Sequence, residues 1–534
     1  MSKVQALNLT EFRKGLNLRR DAFELTEGES PDMLNVDIDA DGGFVARKGW
    51  TRQNTTDIDT PWDPRAMFIH ELADGSDNVY VANGTLWYST NDAVTWAEQA
   101  AITVGTETHG MDFAPWGDTL YACRGASATL GGLSLNTAGA PTTIVQAETG
   151  TWSPYDTPVT AFPHASYIAS HAGYMFAAGT EEGGLPYPFR VRWSHPNVPE
   201  SWLEADYIDI KEGGGAITGL IPQRDHLLIF KQSAVWALFG YDSDTWQLVN
   251  VSRELGAPHR QAIARTESAT FFFSAAHRGV FAIAGSDFPQ EVSRPLRTAL
   301  QSSSFVNSLT DNIFLGWLDG KLYVSLPYHP TDVATDAETV FVFDPEVGGG
   351  SWTAHRAATG EGLGPYGQGG FGGGEQKMFA CGRVSKSVVK LHDNVLPIDD
   401  MDGTEADADC FYVTKWMNAG WPSLNKRWRR PDIIAKERDV DWVLTLNAYH
   451  DYDEQTIVRE KDVTVDAGGS GAVWGDGFLY GDGTIYGASS RGSRIEKGGS
   501  IGATPAVQLY IGGEAGKAWG VDAIVFKYNP RRLR

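Results

Sequence analysis

The sequence predicts an all-β protein in which a β-propeller of six or seven blades precedes a C-terminal β-sandwich-like domain. Two observations carry this prediction: the composition and a regular tryptophan repeat. The 534 residues include 60 Gly, 18 Trp, 19 Tyr and 24 Phe, and glycine-rich turns between aromatic strands favour sheets. Few segments keep a helical apolar period, and residues 294–300 are the best candidate for a short helix.

The repeat is a Ser or Thr followed by Trp. Successive tryptophans are 56, 50, 44 and 106 residues apart, and the last gap is about two units, so a period near 51 fits with one landmark missing near residue 300. Units of this length made of strands are typical of propeller blades. We therefore interpret the repeated tryptophans as structural blade landmarks: Trp96, Trp152, Trp202, Trp246 and Trp352.

The repeating units contain hairpin signals. Residues 78–82 and 85–89 flank Asn83-Gly84, a pair suited to a type I′ turn. The segment from Ser89 to Trp96 resembles an Asp-box, the S-x-D-x-G-x-T-W turn of sialidase-type propellers, and departs from it at Asn91 and Ala93. We read this motif as a structural turn.

Composition shifts predict the domain boundaries. We expect an N-terminal arm over residues 1–34, the propeller over 35–396, an exposed acidic linker over 397–409 and a C-terminal β domain over 410–534. The linker prediction rests on six acidic residues in the thirteen from Pro397 to Asp409. Longer strands with period-two character follow it.

No motif for catalysis or cofactor binding is found. G-x-S-x-G, H-E-x-x-H and P-loop patterns are absent, the three Cys are far apart, and the twelve His show no ligand spacing. Carboxylate pairs for glycoside hydrolysis are always available among 67 acidic residues, so their abundance carries no information. We predict that the protein is not an enzyme and needs no cofactor.

One segment has a weak calcium signal. Asp37, Asp39 and Asp41 alternate ahead of Gly42, as in the first half of a calcium-binding loop. Position twelve of such a loop would be Lys48 rather than Glu. The competing interpretation is a strand that enters an Asp-Gly turn.

Two basic patches interrupt an acidic chain whose formal charge is −23. We predict that they contact a neighbouring subunit or partner: Lys426, Arg427, Trp428, Arg429 and Arg430, and then Arg531, Arg532 and Arg534. A solvated face and a nucleic-acid patch remain open as alternatives.

The opening of the chain is similar to propeller proteins of bacteriophage tails, of the tail nozzle or tail hub type. The motifs that carry this resemblance, together with the blade segment Arg192 to Trp202, are Gly15-Leu16-Asn17-Leu18, Glu27-Gly28-Glu29-Ser30-Pro31, Asn35-Val36-Asp37, Gly42-Gly43 and Arg47-Lys48-Gly49-Trp50. These motifs are short and degenerate, although together with the C-terminal basic strands they span most of the chain.

The resemblance implies a structural virion protein in the tail. It implies a homo-oligomeric ring, with six copies expected, that contacts adaptor, fibre or needle proteins and forms part of the conduit for DNA ejection. The acidic excess predicts that DNA passes without specific binding, because a negative surface repels the phosphate backbone. The alternative function is a propeller that binds or cleaves host-surface glycans, in the manner of a sialidase. No stretch of the sequence is apolar enough to predict a membrane span.

Overall fold

A computed structural model describes residues 4–530 of the chain except for 59–61, 74, 84, 104–110, 118, 124–132, 137–141, 146–158, 161–162, 183, 286, 303–310, 328–338, 370–376, 437–440, 466–493 and 498–500. The chain forms two compact units. We call Arg52–Val340 together with Glu361–Leu391 the propeller unit. We call Met1–Thr51, Phe341–Gly360 and His392–Arg534 the terminal unit.

The propeller unit contains seven antiparallel sheets in its described residues, which places the blade number at the upper predicted value. The first five sheets, each from the inner strand outward, are Ala66–Glu71, Asp77–Asn83, Thr85–Ser89 and Ala97–Thr103; Asp112–Trp116, Thr119–Cys123, Leu133–Asn136 and Thr142–Val145; His164–His171, Tyr174–Glu182, Leu185–His195, Val198–Asp209 and Val159–Thr160; Ile217–Pro222, His226–Lys231, Val235–Phe239 and Gln247–Ser252; Ile263–Arg265, Ala269–Ser274, Gly279–Ala284 and Gln290–Glu291. The sixth begins with Phe314–Leu318 and Lys321–Leu326, and the seventh with Leu363–Tyr366, Phe379–Gly382 and Val388–Asn394. Thr339–Asp344 carries the chain from the propeller unit into the terminal unit.

The seven inner strands form a closed circle. Neighbouring inner strands contact each other in chain order, and Leu363–Tyr366 returns to contact Ala66–Glu71. The short strand Gln368–Gly369 then pairs in parallel with Phe68 and Ile69 of that first strand. Backbone pairing between the last blade and the first thus helps to close the ring.

The propeller core lies between adjacent sheets. Tyr80 and Leu86 of the first blade pack with Leu120 of the second, and Phe176 of the third packs with Leu227 of the fourth. Similar clusters join the second blade to the third, the fourth to the fifth, and the seventh to the first. Each blade alternates buried side chains toward both of its neighbours, which is why its inner strands are apolar on both faces.

The described residues contain one α-helix, Arg297–Gln301, preceded by the 3₁₀ turn Arg294–Leu296, and one further 3₁₀ turn, Arg260–Ala262. Pro295 stands at the start of the first of these turns, where its fixed φ and missing N–H suit a helix start. The helix predicted over residues 294–300 is therefore confirmed.

The terminal unit is built from two packed sheets and two smaller groups of strands. The larger sheet contains Gln5–Leu9, Val36–Ile38, Phe44–Ala46, Lys426–Trp428, Asp432–Ala435, Arg494–Lys497, Gly502–Thr504 and Gly520–Pro530; the second contains Asp32–Leu34, Phe411–Val413, Trp442–His450, Ile457–Val465 and Val507–Gly513. The smaller groups are Gly15–Leu16 with Glu29–Ser30 and Ser351–His355, and Gly49–Arg52 with Ile398–Asp400 and Glu405–Asp407.

Aromatic rings join the two sheets. Phe44 of the larger sheet stacks on Tyr412 of the second at 4.4 Å between ring centroids, and Phe12 meets both rings edge-on. Trp442 stacks with Trp519 at 6.3 Å in the same core. Face-to-face sheets with a shared aromatic core form a β-sandwich, which is the predicted class of the C-terminal domain.

The observed units differ from the predicted domain limits at both ends of the propeller. The predicted arm is part of the terminal unit, because Gln5–Leu9 pairs antiparallel with Gly520–Pro530 and Asp32–Leu34 pairs with Phe411–Val413. The predicted acidic linker contains the paired strands Ile398–Asp400 and Glu405–Asp407. Long-range strand pairing of this kind leaves no local pattern in the sequence.

Candidate functional site

The tryptophan landmarks occupy comparable places in the propeller. Trp96 and Trp246 each stand immediately before the outermost strand of a blade, and Trp202 lies in the first half of such a strand. Trp202 is fully buried, and Trp246 packs on Trp193 at 4.5 Å between ring centroids. Trp152 lies outside the described residues.

Trp352 belongs to the terminal unit by its contacts. It is 1% exposed and packs on Phe343 at 4.9 Å between ring centroids. Its burial in an apolar contact supports a packing role for this tryptophan.

The Asp-box-like turn keeps its geometry despite the two substitutions. Asn91 Oδ1 accepts hydrogen bonds from Ser89 Oγ at 3.0 Å, from the Thr95 backbone N–H at 3.0 Å and from Thr95 Oγ1 at 3.1 Å. An amide oxygen thus replaces the carboxylate of the motif. Ala93 adopts a φ of 63° at the position where the motif has Gly.

The weak calcium candidate is a hairpin turn. Asp39 accepts a hydrogen bond from the Gly43 backbone N–H at 2.8 Å and pairs with the Lys436 ammonium group, and Asp37 lies 3.2 Å from His355 Nε2. Among the described residues no group of acidic, His or Cys side chains could hold a metal ion. The carboxylates therefore serve the turn and its neighbours.

The first basic patch does not form one surface. Lys426 is fully buried, and its ammonium group donates to the carbonyl oxygens of Trp421, Leu424 and Pro505. Trp428 is also buried, and its Nε1 donates to the Thr504 carbonyl oxygen at 3.0 Å. The prediction of a contact role for these two residues is therefore wrong, because strand alternation turns them inward.

The arginines of that patch alternate to the opposite face. Arg427, Arg429 and Arg430 are exposed, and Arg429 Nε donates to Asn529 Oδ1 at 2.7 Å. The second patch, Arg531, Arg532 and Arg534, lies outside the described residues.

The blade segment that carries the phage resemblance contains a closed charge network. Arg192 forms two hydrogen bonds with the Glu182 carboxylate at 2.6 and 2.7 Å, and Arg190 joins Glu182 to Asp209. Arg190 also lies over the Tyr207 ring at 3.8 Å. Charges that pair this completely stabilise the blade and leave no group for a ligand.

A buried ion pair organises the motif residues of the terminal unit. The Arg47 guanidinium donates to both oxygens of Asp399, at 2.8 and 2.5 Å, and both side chains are fully buried. Arg47 also lies over the Trp50 ring at 4.1 Å and donates from Nε to Asn35 Oδ1 at 2.9 Å. Arg47, Trp50 and Asn35 are therefore structural.

The described residues contain one enclosed ligand-sized pocket in the propeller unit. It lies where the seven inner strands converge and has a volume of about 200 Å³. Aromatic and aliphatic side chains form most of its wall, and its ionisable side chains are Arg260 and Arg265. We call it the axial pocket.

Arg260 faces a single acidic group in this pocket. Its Nε lies 3.4 Å from Asp112 Oδ1 without a hydrogen bond, and its side chain is 14% exposed. Asp112 Oδ2 accepts from the Ile168 backbone N–H at 3.1 Å. Burial lowers the pKa of Arg260 and raises that of Asp112, and the opposite charge of each partner opposes both shifts.

Arg265 ends the inner strand Ile263–Arg265, and its residue is exposed. Burial of the guanidinium within the pocket mouth, and then the like charge of Arg260, lower the pKa of Arg265. Burial, His226 and Arg265 together lower the pKa of His171 to about 4. His171 is therefore neutral near pH 7, and it adds no positive charge.

The sequence motifs did not single out Arg260 or Arg265. They stand in ordinary strand and turn segments, and only the circular arrangement of blades brings them together with Asp112. An arginine at the end of a predicted inner strand is the one local signal that could have drawn attention to Arg265.

Comparisons with known proteins add little beyond the fold. No family model matches the chain, and no curated protein sequence matches it. Similar solved structures include YCF48 bound to D1 peptide, with 9% identity over 64% of this chain and 95% of that chain and a TM-score of 0.37. Streptogramin B lyase has 11% identity over 63% and 95% with a TM-score of 0.37. The Pan2 WD40 domain of Neurospora crassa has 8% identity over 65% and 97% with a TM-score of 0.40. Similarity at this level carries no argument about function, and the propeller assignment rests on the sheet geometry above.

No helix in the described part of the chain is both long and apolar enough to cross a membrane.

Proposed function

We propose that this protein is a structural subunit of a bacteriophage tail, a ring protein of the nozzle or hub type. In this role it forms part of the conduit for DNA ejection and a platform for other tail proteins. The observation that carries the proposal is the set of N-terminal motifs, from Gly15 to Trp50, that resembles the tail propeller proteins.

The positions of these motif residues support reading them as a set. Gly15 has a φ of +64°, and a Cβ there would stand 2.3 Å from Ser351 Oγ. A Cβ on Gly49 would stand 2.0 Å from the Ile398 carbonyl oxygen. With Arg47 in its buried ion pair, these residues are ones that the terminal unit cannot replace without rearrangement.

The charge of the chain agrees with a conduit. Its 67 acidic residues exceed its 44 Lys and Arg, and a negative wall repels the phosphate backbone. Each phosphate neutralised by a basic side chain would add affinity that ejection must break. A conduit protein with low affinity for DNA is the expected result.

Subunit contacts have a candidate surface in the exposed arginines of the strand region. Arg427, Arg429 and Arg430 project to solvent from the terminal unit. On an acidic protein, such a patch suits an acidic surface of the next copy. The tail proposal therefore assigns these three residues to the ring interface.

The mass of the purified chain in solution tests the ring. Native mass spectrometry and negative-stain electron images are expected to show a closed ring of about six copies, the number that family resemblance implies. The double variant Arg427→Glu with Arg430→Glu should release monomers, whereas Arg253→Glu, an exposed arginine of the propeller unit, should leave the ring intact. A chain that stays monomeric both in solution and with its neighbouring tail proteins would overturn the proposal.

A second experiment addresses the conduit. We expect no retention of double-stranded DNA by the purified protein at about 0.15 M salt, where a DNA-binding protein would still be held by its phosphate contacts. Tight DNA binding under these conditions would contradict a low-friction conduit.

Glycan recognition, the alternative function, has support from a different observation, the arginines of the axial pocket. That pocket does not depend on the tail proposal.

A further inference from the structure

The axial pocket carries an excess of positive charge in the propeller unit. Its wall includes Arg260 and Arg265, and Asp112 is the acidic group that faces Arg260. Asp112 already accepts two backbone hydrogen bonds, from Phe113 at 3.0 Å and from Ile168 at 3.1 Å. Two cations thus share one carboxylate whose oxygens are partly engaged elsewhere.

Arg265 is the cation that this carboxylate does not neutralise. Within the described residues it has no ion pair and no hydrogen bond with an acidic side chain. Its guanidinium stands at the pocket wall, where it adds to the positive field felt by His171. A guanidinium in such a place can take a carboxylate through two parallel N–H donors.

The rest of the wall suits an apolar ring. Phe68 and Phe113 line the pocket and stack on each other at 5.5 Å between centroids. Trp317 lines it as well and stacks on Phe271 at 5.5 Å with an interplanar angle of 8°. These paired rings are held in place by each other, so they form a wall that is fixed before a ligand arrives.

We propose that the axial pocket binds a small organic carboxylate, with its carboxylate on Arg265 and its ring against the aromatic wall. A pocket of about 200 Å³ has room for several water molecules at roughly 30 Å³ each, which is the scale of a single ring and not of a polymer. One unpaired cation matches a singly charged carboxylate better than a doubly charged phosphate. This inference is independent of the tail proposal, because ring assembly uses neither the pocket nor Arg265.

Two kinds of ligand share this chemistry. An acidic sugar would place a polar ring against the aromatic wall, and an aromatic or aliphatic ring acid would place an apolar one there. Glucuronate and benzoate are the probes that separate the two kinds. Methyl glucoside, a neutral sugar of similar size, is the control for the charge.

The experiment is calorimetric or ligand-observed NMR titration of the full-length protein with each probe, up to about 10 mM, the range in which weak sites of millimolar affinity are detected. We expect binding of at least one carboxylate and none of the methyl glucoside. Stronger binding of glucuronate assigns an acidic sugar, and stronger binding of benzoate assigns a ring acid with an apolar body.

Three variants test the residues. Arg265→Gln should weaken binding by about tenfold or more, because it removes a charged donor pair. Ser170→Leu, which keeps both arginines and fills the wall on another blade, should block the pocket by volume. Arg253→Gln, an exposed arginine of the same unit, should bind as the unsubstituted protein does.

Folding of each variant is checked by its melting temperature, and Arg265→Gln should melt normally because the exposed side chain has no acidic partner to lose. The proposal is overturned if neither carboxylate binds, if methyl glucoside binds equally well, or if folded Arg265→Gln binds without loss. Loss of binding with an intact ring would uphold the pocket alone, and loss of the ring with intact binding would count against the tail proposal alone.

Discussion

Replacing Asp399 by Asn tests whether the buried ion pair with Arg47 holds the terminal unit together. The substitution keeps the shape of the side chain and removes its charge. Arg47 then remains fully buried, stacked on Trp50 at 4.1 Å, with no carboxylate opposite it. The Trp50 and Ala358 backbone N–H groups, which donate to Asp399 at 3.0 and 2.9 Å, also lose a charged acceptor.

The expected cost is large because the remaining charge has no route to water. Removing one partner of a buried, hydrogen-bonded ion pair typically destabilises a protein by about 3–5 kcal/mol. The remaining hydrogen bonds from Arg47 to Asn35, Lys48 and Arg356 limit the loss. We therefore expect Asp399→Asn to lower the free energy of unfolding by about 3 kcal/mol, at the lower end of this range.

The assay is urea unfolding followed by tryptophan fluorescence, since Trp50 and several buried tryptophans report on this unit. Asp63→Asn is the matched control, because the Asp63–Arg65 pair has 57% and 22% of its side chains exposed. An exposed pair of this kind should contribute less than about 1 kcal/mol.

A double variant separates the charge from the packing. Arg47→Met with Asp399→Leu removes both charges, and its cost should be well below the sum of the two single costs, because no charge is left buried without a partner. Equal and small losses for Asp399→Asn and Asp63→Asn, or strictly additive costs in the double variant, would refute the reasoning.

Three further outcomes can be checked by the same unfolding measurements. Trp352→Ala should cost about 3–5 kcal/mol because the ring is 1% exposed, whereas Trp421→Ala, 65% exposed, should cost about 0.5 kcal/mol or less; equal costs would contradict a packing role. Asn91→Ala should cost about 1 kcal/mol through the lost turn acceptor, and Asn91→Asp, which restores an acceptor oxygen, should be nearly neutral; a destabilised Asp variant would argue against the turn. The folded-state pKa of His171 is lowered to about 4, so the unfolded chain binds its proton first and stability should fall as the pH drops from about 6.5 to about 4; His171→Gln should flatten this part of the profile, and His277→Gln, at an exposed position, should not.

The sequence by itself determined the repeat and the local shape of its units. The tryptophan spacing and the Asn-Gly hairpin depend on residues within about fifty positions of one another. The same is true of the turn at Asn91, where an amide and Ala93 hold the place of an acid and a glycine. Turn chemistry and strand alternation act over a few residues, so a single chain displays them.

Strand alternation also explains the one basic patch that was misread. Successive side chains of a strand point to opposite faces, so Lys426 and Trp428 turn inward while Arg427 faces solvent. The charges of the patch suggested a surface. Only the tertiary structure shows that three backbone carbonyl oxygens satisfy the Lys426 ammonium group.

Long-range pairing was decided by the tertiary structure alone. Arg47 and Asp399 are 352 residues apart, and the first strand of the chain pairs with the last described one. Arg260 meets Asp112 only because successive blades are arranged in a circle. An isolated sequence contains the charges and the strands, but their partners are chosen by the closure of the sheets, and that closure is a property of the whole folded chain.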